Sequence, residues 1–275
     1  MARSRLATAA LLLPALALVL VGFAYPYLTM LVAPAADPHP DVAGKLVAAV
    51  TDPYVVDIVA RTVRVAGLAT VLSVALGFPV AWLISRAPGR WRGVLLLAVT
   101  FPLLLSTVVR SFAWIVLLGR DGLVSAALQA VGLTDTPTQL LYTEFAMVVG
   151  LTQLFLPLLV LTAYSSLAGV DPALEDAARG MGAGGASVFA RVVLPLALPG
   201  TAVGAILVFA GCMTAYTTPS LLGGTRNRTL ATLLYQEANT SLDWSAVSAL
   251  AIIMTLLVLV VTTVMSRISA IGSRA

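Results

Sequence analysis

Charge, cysteine and histidine are all scarce in this chain of 275 residues. Only 10% of the residues are charged, against about 25% in a soluble domain. The single cysteine, Cys212, lies inside an apolar run. No disulfide can form within the chain, and no Cys/His metal spacing exists. The single histidine, His39, stands between prolines in "DPHPD", a loop position that leaves it solvated. That argues against a catalytic triad or metal cage built on histidine. No Gly-x-x-x-x-Gly-Lys-Ser/Thr loop occurs, so the chain brings no phosphate loop of its own. What the chain does have is hydrocarbon: 60% of it is hydrophobic, with a mean hydropathy of +1.00. A soluble chain this apolar has too few polar groups to cover its surface. The expected class is an all-α, polytopic membrane protein in a lipid bilayer, one transmembrane domain over residues 1–275.

The net charge of +4 does not indicate nucleic acid. Its arginines are scattered at the ends of apolar runs and never cluster with aromatics, which is a topology pattern. A spanning helix needs about 20 mostly apolar residues. Six runs meet that requirement: Leu6–Val32, Thr62–Ser85, Val94–Gly119, Phe145–Val170, Pro199–Leu222 and Ser245–Met265. The first has the basic start (Arg3, Arg5) of a signal peptide. Its apolar character continues through "YPYLTMLVA", past an h-region of about 7–15 residues, so a retained anchor is expected.

With the N-terminus placed in the cytoplasm, nine basic residues fall inside: Arg3, Arg5, Arg86, Arg90, Arg92, Arg179, Arg191, Arg267 and Arg274. Five fall outside: Lys45, Arg61, Arg120, Arg226 and Arg228. Arg64 and Arg110 lie within runs. The bias places both termini on the cytoplasmic side. Trp82, Trp91 and Trp244 read as interfacial residues.

This topology makes residues 171–198 the longest inner loop, "DPALEDAARGMGAGGASVFARVVLPLAL". Asp171 is a good N-cap and Pro172 suits the first helical position. Glu175 and Asp176 lie at the positive end of the helix dipole. Ala173, Leu174, Ala177, Ala178 and Met181 form an apolar side at helical spacing, and Gly182 suits a left-handed stop. The spacing predicts a short helix ended by glycine, with Pro195 and Pro199 marking the turn into the fifth run. Gly180, Gly182 and Gly185 match Gly-x-Gly-x-x-Gly, but a dinucleotide fingerprint needs a strand before the glycines and an acid about 20 residues on. Here a helix precedes them and residues 200–210 carry no acid.

The same loop resembles the signature of permease subunits of binding-protein-dependent ABC importers. That signature reads Glu-Ala-Ala, three residues, Gly, nine residues, Ile-x-Leu-Pro. This chain has Asp176-Ala177-Ala178, then Gly182, then Val192-x-Leu194-Pro195. Asp replaces Glu and Val replaces Ile, while every spacing is kept, and Glu175 stands next to the acidic position. "STVVRSFAWIVLLGRDGLVSAAL" (106–128) and "YTTPSLLGG" (216–224) look like the spermidine/putrescine (polyamine-type) subfamily. The resemblance implies a type I permease fold of six spans in a bacterial inner membrane, carrying polyamines or a similar small solute. It implies a cytoplasmic coupling helix that contacts the ATPase through Leu174, Glu175, Asp176, Ala177, Ala178, Gly182, Leu194 and Pro195. It implies partners: a pair of ATPase subunits holding ATP and magnesium, a second permease in a heteromeric pair, and an external solute-binding protein. The chain itself is expected to bind no cofactor or metal and to catalyse no reaction. Without a partner groove, the loop helix would read as an interfacial helix on lipid.

Arg110 sits midway along the third run, where a charge needs a cavity or a partner. It can line the solute path, pair with an acid across an interface, or snorkel or support a gate with no solute contact. Glu144, at the outer end of the fourth run, is a possible partner or an interfacial acid. "CMTAYTTPS" interrupts the fifth run with Thr214, Tyr216, Thr217, Thr218 and Pro219. These hydroxyls can satisfy backbone groups freed by the proline or line a polar path. An ion-coupled secondary transporter is the rival class. It calls for central acids or matching broken helices, and no acid is central in any run.

Overall fold

The computed structural model describes residues 41–272, together with 13–14, 16–18, 20–25 and 28–29. Most of the first apolar run, His39 and the last three residues lie outside the described set. All regular structure among the described residues is helical. In chain order the helices are α1 (Val42–Thr51), α2 (Pro53–Arg86), α3 (Gly89–Thr100), α4 (Thr107–Leu118), α5 (Leu123–Ala130) and α6 (Glu144–Ala168). They continue with α7 (Pro172–Gly180), α8 (Gly185–Val188), α9 (Leu194–Thr214), α10 (Thr217–Leu222), α11 (Leu230–Gln236) and α12 (Trp244–Gly272). Five stretches among the described residues are long and apolar enough to cross a membrane: 53–86, 107–130, 144–168, 185–214 and 244–267.

The chain divides into two compact units, Met1–Val56 with Leu233–Thr255, and Asp57–Thr232 with Leu256–Ala275. In the smaller unit, Asp41 caps α1 by accepting from the Gly44 amide at 2.8 Å. Its own amide donates to Ser245 Oγ at 3.1 Å, and Lys45 Nζ pairs with Asp243 at 2.5 Å.

The larger unit is organised around α6, which packs along α9. Close approach is possible because the contact is lined by small residues, as membrane helices require. A Cβ at Gly204 would collide with Thr162, and one at Gly200 with Ser166. Gly150 does the same for α10, where a Cβ would meet Leu222 and Thr218. Around these contacts lies a core that includes Val65, Ala69, Met147, Leu151, Leu159, Val208 and Met213.

Three expectations are corrected here. The second span starts nine residues before Thr62, at Pro53, and α2 continues for 34 residues, roughly 51 Å at ~1.5 Å per residue. The third run, expected as one span over 94–119, is broken. Pro102 removes a donor and the turn tightens to a 3₁₀ segment, Phe101–Leu104, a form rarely sustained beyond about 3–4 residues. Leu105 is then extended (φ −84°, ψ 140°), and α4 begins afresh. Pro195 and Pro199 do not turn the chain. A π-helical segment, Phe189–Val193, leads into α9, with Pro195 in its first turn and Pro199 inside it. The wide π turn relieves the clash that a proline ring makes with the carbonyl four residues back. The fifth run breaks instead at Ala215 (φ −65°, ψ 129°), four residues before Pro219, where that same clash is not relieved.

Candidate functional site

The loop helix α7 forms for the local reasons its sequence gives. The Asp171 carboxylate accepts from the Ala173 amide at 2.9 Å, and Pro172 opens the first turn. At the other end the Ala183 amide donates to the Ala178 carbonyl at 3.1 Å and the Gly182 amide to the Arg179 carbonyl at 2.9 Å. Gly182 has φ +87°. This is the paired 6→1 and 5→2 closure of a Schellman end, which needs a left-handed residue. The glycine pattern therefore ends a helix, and no strand precedes it.

The two faces of α7 differ. Glu175 and Ala178 point inward and are buried. Leu174 is 49% exposed and Met181 84% exposed, with Asp176, Ala177 and Gly182 also exposed. The expected single apolar side is thus split. Ala178 belongs to the anchoring face, while Leu174, Ala177 and Met181 make an outward stripe. Leu194 is half-buried and packs on the core below, and Pro195 is exposed.

Glu175 fixes the helix to its support. It forms an ion pair with Arg86 at the last turn of α2, and Arg179 Nη2 lies 3.5 Å from its other oxygen. Asp176 reaches Arg179, at 3.7 Å on the open surface. The acidic role at this motif therefore belongs to Glu175 in the anchor and leaves Asp176 facing outward. Below them Phe189 packs edge-on against Trp82 (centroids 5.4 Å) and Phe78 (6.0 Å). Pro79, Trp82, Val188, Phe189 and Val193 line an apolar groove whose rim carries Glu175 and Arg179. Arg86 and the Trp82–Phe189 pair were missed in sequence. The available signal was an arginine ending a span on the same side as an unpaired loop acid.

The path candidates occupy the two broken regions. α4 and α10 pack together, and Ser111 Oγ lies 3.4 Å from Thr218 Oγ1. Arg110 is buried on α4, Thr218 is buried on α10, and Tyr216 and Thr217 are half-buried. Thr214 is exposed, but its hydroxyl donates back to the carbonyls of Ala210 (3.0 Å) and Gly211 (3.3 Å). Glu144 does not pair with Arg110. It binds Arg61 at 3.2 Å and Arg64 at 2.9 and 2.5 Å. Arg61 also holds Asp57 at 2.7 Å and the carbonyls of Arg226 and Arg228 at 3.4 Å, which ties the 223–229 loop to α2 and α6. Among the described residues, no group of three His, Cys, Asp or Glu side chains is placed to hold a metal.

Residues 68–271 match the family described as binding-protein-dependent transport system inner membrane component. The chain belongs to this family. It is a membrane-spanning permease subunit of an ABC importer, and the secondary-transporter reading is not favoured. The permease is 30% identical over 223 residues to the spermidine/putrescine transport system permease protein PotB of Haemophilus influenzae, covering 81% of this chain and 78% of that one. It is 37% identical over 161 residues to the probable molybdenum ABC transporter permease protein HVO_B0370 of Haloferax volcanii, covering 58% and 56%. Its fold matches a subunit in the crystal structure of a bacterial alginate ABC transporter in complex with alginate pentasaccharide-bound periplasmic protein. The TM-score is 0.78 at 18% identity, covering 99% of this permease and 97% of that chain.

Proposed function

We propose that this permease is one of two subunits enclosing a solute path, and that α7 is its coupling helix. A pair of separate ATPase subunits binds ATP and magnesium and docks on the Leu174–Ala177–Met181 stripe. Arg110, Tyr216, Thr217 and Thr218 line part of the path, with Thr214 at its edge. An extracytoplasmic solute-binding protein docks on the outer loops. The second permease is a different chain, as in polyamine-type relatives, and the solute is a polyamine or a similar small solute, the reading favoured by the PotB relative.

The observation that carries the coupling assignment is the construction of α7. It is fixed from below by the buried Glu175, while an apolar stripe including an 84% exposed Met181 faces outward. A rigid helix with an uncovered apolar stripe fits the groove of a partner. Closure of the ATPase pair would then move the spans as a body.

The test uses cysteines introduced into a Cys212→Ser background, since Cys212 is buried. Met181→Cys is expected to react with an impermeant thiol reagent from the cytoplasmic side only, and to be protected when the ATPase is bound. Asn227→Cys is expected to react from outside, with both termini inside. Equal labelling of Met181→Cys with and without the ATPase removes the coupling assignment. Labelling of Asn227→Cys from the inside alone inverts the topology.

A further inference from the structure

A buried guanidinium needs acceptors, and among the described residues Arg110 has almost none. Its residue is 9% exposed, and its Nε and Nη1 are buried with no hydrogen-bond partner. Nη2 reaches only Thr107 Oγ1, at a long 3.5 Å. That contact turns the side chain back toward the first residue of α4. The helix end it points at is also short of acceptors. Ser106 at the N-cap makes no side-chain cap, and the first amides of a helix have no partner within it. The break at Leu105 creates this positive helix end inside an apolar run rather than at its edge. Ser106 is exposed and Thr107 half-buried, so the end is reachable from outside the chain. The acid that sequence offered, Glu144, is already held by Arg61 and Arg64.

We propose that Ser106–Arg110 is an anion site, formed by the uncapped start of α4 and the Arg110 guanidinium, which receives a carboxylate that none of the described residues supplies. An arginine fork beside free amides suits a planar, two-oxygen acceptor. The carboxylate comes from one of two sources, the second permease subunit or an acid group on the solute. The site goes beyond the transport reading and rests on it only for the assembly in which it operates. A polyamine carries no acid, so a polyamine solute assigns the carboxylate to the second permease.

The test uses the whole transporter: both permeases, the ATPase pair, and the binding protein as it co-purifies, with its bound solute characterised by mass spectrometry. Arg110→Met is compared with Arg110→Lys. We expect Arg110→Met to lower binding-protein-stimulated ATP hydrolysis at least tenfold, and Arg110→Lys to retain a clear part of it, because lysine loses the fork but keeps the charge. If Arg110→Met also separates the two permeases in detergent without solute, the carboxylate belongs to the second permease. If the permeases stay paired and the bound solute carries an acid, it belongs to the solute. The anion site is overturned if Arg110→Met stays within twofold of wild type. It is equally overturned if lysine and methionine behave alike, or if the pair stays intact with an acid-free solute. Failure of the transport reading is visible separately, as a wild-type complex whose ATP hydrolysis ignores the binding protein.

Discussion

Replacing Gly182 with valine is expected to leave the spans inserted while cutting coupled ATP hydrolysis by about an order of magnitude. Gly182 closes α7 at φ +87°. A non-glycine residue held there costs about 1–2 kcal/mol, a factor of roughly 5–30 in population. The strain falls on the backbone alone, because a Cβ at this position meets nothing within 4 Å. Side-chain size should therefore matter little. Alanine and leucine should impair coupling to similar degrees, valine more because its branched Cβ is stiff, and asparagine least because it tolerates the left-handed region. Stimulated hydrolysis by the purified complex, measured across these four substitutions, checks that order. A series ranked by bulk would show that the partner's surface, rather than the helix end, sets the effect.

The second large effect is an asymmetry between the members of one ion pair. Arg86→Ala should damage the permease more than Glu175→Gln. The Glu175 side chain is 9% exposed and that of Arg86 31%. Removing the arginine leaves a buried carboxylate facing only Arg179 at 3.5 Å, a loss of about 1–3 kcal/mol for a group left without its partner. Removing the acid leaves an arginine that can turn to water, at well under ~1 kcal/mol. The double variant should recover much of the loss, as expected when two changes share one interaction. Thermal unfolding of the assembled transporter, paired with stimulated ATP hydrolysis, reads all three variants. Equal midpoints for Arg86→Ala and wild type would mean that Glu175 does not anchor α7.

The parts of the site that sequence made legible are those decided within one turn of chain. Asp171, Pro172 and Gly182 are adjacent in sequence to the groups they satisfy, so the start and stop of α7 followed from residue type. The Arg86–Glu175 pair joins residues 89 apart, and no local pattern connects them. The same limit hid the capture of Glu144 by Arg61 and Arg64, which left Arg110 without the acid suggested for it. The prolines were misread for a different reason. Pro195 and Pro199 look like helix breakers, but a π segment and packing against α6 carry the helix through them, as membrane helices allow. Pro219, with no such relief, does break its run. The two breaks, at Leu105 and Ala215, are what bring α4 and α10 together as short facing helices.

Uptake into liposomes reads whether transport needs the whole assembly. This permease is expected to accumulate solute only when the second permease, the ATPase pair, the loaded binding protein and ATP are all present. Uptake by the isolated chain, driven by an ion gradient and indifferent to ATP, would contradict it.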